Sequence, residues 1–413
     1  MARVLLLLPT TTYRAADFLA AAARLNVEVV AAAERPNVMA RQHPDSLLTL
    51  DFRAPEAAAE VVRDYHARHP IDAVVPVDDD TAVVAAAIGA ALGLKHNSVE
   101  SARAARNKRI LVETLRHTQL PAPEHRVYEV ASDSARAARE APYPCVLKPL
   151  FLSASRGVIR ADDPAGFADA WRRIAAILAE PDVAARGGEA AGQILVEEFI
   201  PGVEFALEGL LSRGVLRVLA LFDKPDPLDG PFFEETLYVT PSRHPESVQR
   251  ELSGAVSAAA AALGLREGPV HAELRYNARG PWVLELAARS IGGLCSRTLR
   301  FGTGCSLEEL ILRHALDLDL EQTDRERRAA GVMMIPIPAR GILREVHGLA
   351  SAKLVPGVEE VTITARLDNP IVPLPEGASY LGFIFSRGDT PLLAEISLRE
   401  SHRQLRFEIE STS

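Results

Sequence analysis

The chain has 413 residues, 48% hydrophobic and 24% charged, with a formal charge of −9 at pH 7. That length suits about two to four domains with a large buried core, and the acidic balance leaves no basic stripe for a nucleic acid. Three scattered cysteines, Cys145, Cys295 and Cys305, exclude a disulfide framework or a zinc site and fit a reducing cytoplasm.

MARVLLLLP lacks a signal-cleavage pattern and is too short to span a bilayer, so it reads as a buried first strand. Strands and helices then alternate to about residue 100. Residues 4–8, 27–33 and 73–77 read as strands, and 15–25, 55–68 and 81–92 as helices. Such alternation predicts an open parallel sheet with right-handed crossovers. The first turn, PTTTYRA, has no G-x-G-x-x-G, so dinucleotide binding is not indicated. Asp78, Asp79 and Asp80 end a strand where a helix begins. They fit helix caps first, and otherwise a site at the sheet's carboxyl edge.

Residues 107–116 read as a helix carrying Lys108, closed by Pro121 and Pro123. YPCVLKP is a strand with Lys148 near its end. FLSASRGV follows, with Ser153, Ser155, Arg156 and Gly157. Small residues let backbone N–H groups approach an anion, although there is one glycine and no Walker pattern. Residues 180–192 read as an exposed loop. QILVEEFIPGVEF is a strand and turn leading into an antiparallel hairpin over 203–222. DKPDPLDGPFFEET, 223–236, is a loop. Its Asp223, Asp226, Asp229, Glu234 and Glu235 suit a substrate ammonium. Residues 247–263 form an alanine-rich amphipathic helix.

HAELRYNARGPWVLELAARSIGG, 271–293, reads as a β-hairpin. His271, Glu273 and Arg275 alternate with apolar residues, as do Val283, Glu285 and Ala287 across the turn. A turn near Arg279 sets Glu273 opposite Glu285. Opposed carboxylates repel, and a hard cation between them removes that cost. An exposed hairpin with an acidic wet face fits the same pattern. Arg289 and the glycines of SIGG, Gly292 and Gly293, add a fixed cation and a turn that suit an anionic transition state. Ser306 and Glu309 form a capping box. From about residue 330 the chain reads as short strands and turns, a separate small β-rich domain capping the site.

With these motifs in this order, the chain resembles the ATP-grasp ligases. Lys108 and Lys148 match the two lysines that hold ATP phosphates, and SASRGV matches the phosphate-covering loop. VEEFIPGVE matches the adenine hinge with Glu197. The resemblance implies that Glu198 and Ile200 offer backbone groups to adenine and that Glu204 binds the ribose. It implies metal carboxylates at Glu273 and Glu285, and an intermediate-stabilising arginine at Arg289. Many members carry Asn two residues beyond the second metal carboxylate, where this chain has Ala287. A narrower resemblance, to bacterial L-amino acid ligases, rests on FDKPDPLDGPFFEETLYVTPS, GVMMIPIPARGILREV and SYLGFIF.

The resemblance implies an α/β ATP-grasp fold. Its parts would be an N-terminal parallel α/β domain over 1–105, an ATP-grasp domain over 106–330 with a lid at about 120–192, and a β-rich C-terminal domain over 331–413. It implies a carboxylate–amine ligase that uses ATP with Mg²⁺, or Mn²⁺ in its place, through an acyl phosphate, with amino acids as substrates. His271 would bind substrate, deprotonate the attacking ammonium, or simply be a bonded hairpin histidine. Glu234, Glu235, Gly292 and Gly293 would face substrate. Bicarbonate activation, as in biotin carboxylases, and nucleotide binding without chemistry are the competing readings. The expected location is cytoplasmic, with no membrane and no nucleic-acid partner, and a homodimer is left open.

Overall fold

The apolar runs of the N-terminal part pair side by side, as buried parallel strands do. The structure, a computed structural model, describes residues 1–36, 45–320 and 322–411. β1 (Arg3–Leu7), β2 (Glu28–Ala33), β3 (Leu47–Thr49) and β4 (Ala73–Pro76) form a parallel sheet in the order β3-β2-β1-β4. Its helices are α1 (Ala15–Arg24), α2 (Pro55–His66) and α3 (Asp79–Leu92). α3 starts two residues earlier than its apolar period suggests. Asp78 caps it, with Thr81 Oγ accepting the Asp78 N–H at 3.3 Å. β3 was not legible in the sequence, and neither was α4 (Val99–Arg106). α5 (Lys108–His117) follows after a single residue. Asn107 Oδ1 accepts the Arg109 N–H at 3.0 Å, which restarts the helix with Lys108 at its first turn.

A small antiparallel sheet comes next. β5 (His125–Glu129), α6 (Ser134–Glu140), β6 (Cys145–Pro149), β7 (Ile159–Ala161), α7 (Pro164–Leu178), α8 (Pro181–Gly187) and β8 (Gln193–Glu198) build a lobe with strand order β5-β8-β6-β7. α8 occupies part of the stretch read as loop. Pro181 stands at its first turn, where no backbone N–H is needed, and Val183 is buried against the lobe's core of Phe167, Trp171 and Ile174.

The central sheet has eight strands. β9 (Val203–Ser212), β10 (Val215–Asp223), β11 (Leu237–Thr240), β12 (Gly268–Asn277) and β13 (Gly280–Ala287) supply five of them, and α9 (Glu246–Ala262) packs on them. The short pair β14 (Arg300–Phe301) and β15 (Cys305–Ser306) leads to α10 (Leu307–Ala315). The tail contributes β16 (Ala329–Ile335), β17 (Gly341–His347), α11 (Leu349–Lys353), β18 (Val358–Ile363), β19 (Pro370–Ile371), β20 (Gly382–Gly388), α12 (Pro391–Arg403) and β21 (Arg406–Glu410). The full order is β13-β12-β9-β10-β11-β16-β20-β18.

The tail was read as a separate set of strands, but its sheet is continuous with the central one. Leu237 pairs with Met333 and Thr240 with Ala330. Only β17, β19 and β21 form a sheet of their own. α12 was also missed. It buries Ala394, Ser397 and Leu398 at helical spacing and leaves Leu392, Leu393 and Ile396 exposed. One core joins all of this: Phe18, Phe222, Phe301 and Phe383, from distant parts of the chain, pack in a single cluster. Among the described residues no helix is long and apolar enough to cross a membrane.

Candidate active site

The hairpin of β12 and β13 places Glu273 directly opposite Glu285. The route differs from the even alternation expected. The turn is tight, with Asn277 paired to Gly280, and that register alone would put Leu284 opposite Glu273. Instead Leu274 pairs with Val283, and Leu284 is an extra, unpaired residue. This β-bulge shifts Glu285 into register and turns both Leu284 and Glu285 toward the same cavity.

Each carboxylate has a cation beside it. Lys108 Nζ lies 3.0 Å from Glu285 Oε2 and donates to the Leu152 carbonyl at 2.7 Å. Lys224 Nζ lies 3.6 Å from Glu273 Oε2, donates to Glu204 Oε1 at 2.8 Å and contacts Glu235. Its side chain is 2% exposed. Burial opposes the charge on Lys224, but Glu204, Glu235 and Glu273 outweigh it and hold the ammonium well above its ordinary range. Burial likewise opposes the charge on Glu273, and Lys224 with the His271 hydrogen bond holds that carboxyl far below its usual range. Glu235 goes the other way, pushed up by burial and by Glu273. Lys224 was absent from the residues singled out by sequence. It sits just past the end of β10 at the start of an acidic loop, a signal that could have marked it.

Arg289 is buried and lines the cavity. Its Nη2 donates to Asp79 Oδ2 at 2.7 Å and its Nη1 to the Ser290 carbonyl at 3.0 Å. Burial works against its charge, and Asp79 more than restores it. The aspartate triplet thus does both things considered for it: Asp78 caps α3 and Asp79 orients Arg289. Arg14, from PTTTYRA, is fully buried and reaches Ser290 Oγ at 2.7 Å and Glu308 at 2.9 Å. It ties the first turn to the segment after Arg289.

His271 Nδ1 lies 3.2 Å from Glu208 Oε2, and Nε2 lies 3.9 Å from Glu273 Oε1. Burial disfavours its charge, but Glu208 and Glu273 lift the imidazole to about 9. Gly293 has φ +59°, and a Cβ there would meet the Phe383 ring at 3.1 Å, so the turn after Arg289 requires glycine.

The cavity these residues line has a volume of about 960 Å³. Lys148, on β6, pairs with Glu197, on β8, at 2.5 Å. Glu204 is bonded at both oxygens, to Lys224 and, at 2.9 Å, to Arg275 Nε. The Glu198 N–H is committed to the Glu124 carbonyl at 2.8 Å. The Ile200 carbonyl accepts from Arg275 at 2.7 Å, leaving its N–H without an acceptor among the described residues. Lys108, Lys148, Ser153, Ser155, Arg156, Glu197, Glu198, Ile200, Glu204, Glu235, His271, Glu273, Glu285, Arg289, Gly292 and Gly293 all border the cavity. Gly157 and Glu234 do not. Gly157 stands behind the loop against Pro149. The tail borders the cavity too, through Thr364, Arg366, Ala378, Ser379 and Tyr380.

Three family models match the chain: the ATP-grasp N-terminal domain over residues 19–96, the ATP-grasp domain over 141–298, and the L-amino acid ligase C-terminal domain 2 over 333–410. The crystal structure of L-amino acid ligase from Bacillus licheniformis superposes with a TM-score of 0.82 at 26% identity, covering 100% of this chain and 99% of that one. Dapdiamide A synthase of Enterobacter agglomerans is 27% identical over 255 residues, 59% of this chain. Carnosine synthase 1 of Gallus gallus is 28% identical over 231 residues, 53% of this chain. The matches cover 58% of the first relative's length and 24% of the second's. The chain is a member of the ATP-grasp superfamily. Within that class it is similar over its full length to an L-amino acid ligase and carries that family's C-terminal domain.

Proposed function

We propose that this chain is an ATP-dependent ligase that joins the carboxylate of one amino acid to the amine of another and releases ADP and phosphate. One observation carries the reading. The opposed carboxylates Glu273 and Glu285 share a cavity with Lys108, Lys148 and Arg289, all on elements with the ATP-grasp arrangement. The relatives named for dipeptide and related amide synthesis support the amino-acid part. No observation favours bicarbonate activation, and the intact set of charged residues argues against binding without chemistry.

The donor set fits a hard divalent cation. Two carboxylates face each other, and each has an ammonium beside it. Glu273 and Glu285 would hold Mg²⁺, which when bound neutralises charge on phosphate oxygens. Lys108 and Lys148 would exchange Glu285 and Glu197 for those oxygens. The carboxylate substrate attacks the terminal phosphorus of ATP, forming an acyl phosphate and ADP. The amine then attacks the acyl carbon, loses a proton, and phosphate leaves. Arg289, oriented by Asp79, would stabilise the tetrahedral oxyanion together with N–H groups near Gly292 and Gly293. Lys224, poised between Glu204 and Glu273, would offset the charge of the neighbouring carboxylates and keep Glu273 ionised.

The test is ADP release screened over pairs of amino acids, with products identified by mass. Mg²⁺-dependent ADP formation that needs both substrates is expected. AMP and pyrophosphate as products would rule out the acyl-phosphate route.

A further inference from the structure

The loop matched to the phosphate cover is a turn closed by two bonds of its own, from the Arg156 N–H to the Ser153 carbonyl at 3.3 Å and from the Val158 N–H to the Ser155 carbonyl at 3.1 Å. Ala154 and Ser155 both have left-handed φ, +55° and +54°, which a non-glycine residue adopts at a cost. Among the described residues neither of their N–H groups has a protein acceptor, which leaves both free for an anion. Gly157 follows at φ +72°, where a Cβ would strike Pro149 at 2.7 Å. Further contacts hold this turn in place.

The holder comes from the tail, about two hundred residues away. The Gly157 N–H donates to the Pro375 carbonyl at 2.9 Å, and Arg156 Nε donates to the Glu376 carbonyl at 2.7 Å. The Glu376 carboxylate reaches back into the lid lobe. It accepts two parallel bonds from Arg173 on α7, at 2.7 and 2.9 Å. The Arg173 guanidinium also stacks over Phe232, 4.8 Å from the ring centroid. At the next position Gly377 is packed so tightly that a Cβ would overlap the Val372 carbonyl oxygen at 1.8 Å, so this turn has a single shape. One and two residues further on, Ala378 and Ser379 are exposed and line the cavity, with Tyr380 beside them.

We propose that this strap of the C-terminal segment, residues 364–380, is the closing element of the nucleotide lid, with Glu376 and Arg173 as its positioning pair. One end grips the phosphate-covering loop and the other forms a wall of the substrate cavity. The bidentate pair fixes the orientation of α7 relative to the strap, which a single-point contact would not do. Because so few residues separate the two ends, a substrate seated against Ala378 and Ser379 stabilises the closed loop. This rests on the proposed ligase reading only for the identity of that substrate.

Hydrogen exchange of the peptide containing residues 153–157, followed by mass spectrometry, tests it. The protein is examined alone, with Mg²⁺ and a non-hydrolysable ATP analogue, and with a mixture of the standard L-amino acids added. Glu376→Gln is expected to speed exchange in this peptide roughly tenfold, as for loss of a charge-assisted bidentate contact. Its KM for ATP should rise by a similar factor, with kcat moving less. Arg173→Lys should fall between wild type and Glu376→Gln. The paired swap Arg173→Glu with Glu376→Arg should recover part of the protection, which a merely structural role would not predict. A peptide from β1 serves as the fold control. Equal exchange in wild type and Glu376→Gln with the ATP analogue present, with the control intact, would overturn the proposal. If amino acids change nothing in any variant while the nucleotide arm still separates them, the coupling of substrate to the loop through Ala378 and Ser379 is overturned; the ligase reading fails separately, if no amino-acid pair elicits ADP release.

Discussion

Arg289 has two partners, Asp79 and the Ser290 carbonyl, and a face on the cavity. A guanidinium so held is preorganised for charge that develops only in the transition state. Arg289→Lys keeps the charge and loses the planar fork, and Arg289→Ala loses both. We expect kcat to fall in that order, with Ala down by roughly a hundredfold to a thousandfold, as for an oxyanion donor. KM for ATP should move little, because the phosphate contacts are proposed for Lys108 and Lys148 and not for Arg289. A steep rise in KM for the carboxylate substrate with kcat unchanged would reassign Arg289 to ground-state binding. Glu285→Ala is a second test at this scale. It removes one of two opposed carboxylates and leaves Lys108 bonded to Leu152. Relief of repulsion offsets the lost, partly exposed ion pair, so metal-free stability should stay within about 1 kcal/mol of wild type. Turnover should vanish. A large drop in Tm without metal would show Glu285 to be structural.

The acidic loop between β10 and β11 divides into two functions that its composition hides. Glu235 is half-buried beside Lys224 and receives the Tyr238 hydroxyl at 2.8 Å, whereas Glu234 does not border the cavity. The two are therefore not interchangeable, although both were expected to face substrate. Glu235→Gln removes one of three carboxylates around Lys224, two of which are matched to ribose and metal. It should raise KM for ATP as well as for an amino acid, by roughly tenfold. Glu234→Gln should leave both constants within about twofold, as for a residue away from the reacting groups. Steady-state kinetics with each substrate varied separately decides. A change confined to the amino acid in Glu235→Gln would separate the Lys224 cluster from the nucleotide.

At the scale of the molecule, α10 is docked on β12 through a neutral histidine. The Gly268 N–H donates to His314 Nε2 at 3.1 Å, and the His314 carbonyl accepts from Lys95 at 2.7 Å. Burial, and then Lys95, pushes the imidazole down to about 4 from an ordinary 6.5. Between these values the unfolded chain takes up a proton that the native state refuses. Stability therefore falls as pH drops through that window, and the loss is complete below the lower value. The full contribution is on the order of 3 kcal/mol. Urea unfolding near neutral pH and at about pH 5 should show a shallower pH dependence in His314→Gln, which retains an acceptor. An identical slope in both proteins would remove His314 from the acid response.

Much of the architecture was legible because it depends on local pattern. Continuous apolar runs at 4–8 and 73–77 became β1 and β4, since strands buried on both faces need no alternation. Ser306 and Glu309 announced their helix by a capping box. The carboxylate pair was readable because a hairpin brings near neighbours together. What the pattern could not show was how they come into register: the bulge at Leu284 is chosen by sheet packing, not by the turn. Nor could it show that the tail's strands continue the central sheet, because the pairing of β11 with β16 spans some ninety residues. Lys224 among three carboxylates, Asp79 on Arg289 and the strap on the lid are alike in this. Each joins charged groups far apart in the chain, Arg173 and Glu376 by 203 positions. A lysine or glutamate in sequence looks the same whether solvated or buried. Only the folded core, by removing water and fixing distance, turns such charges into partners.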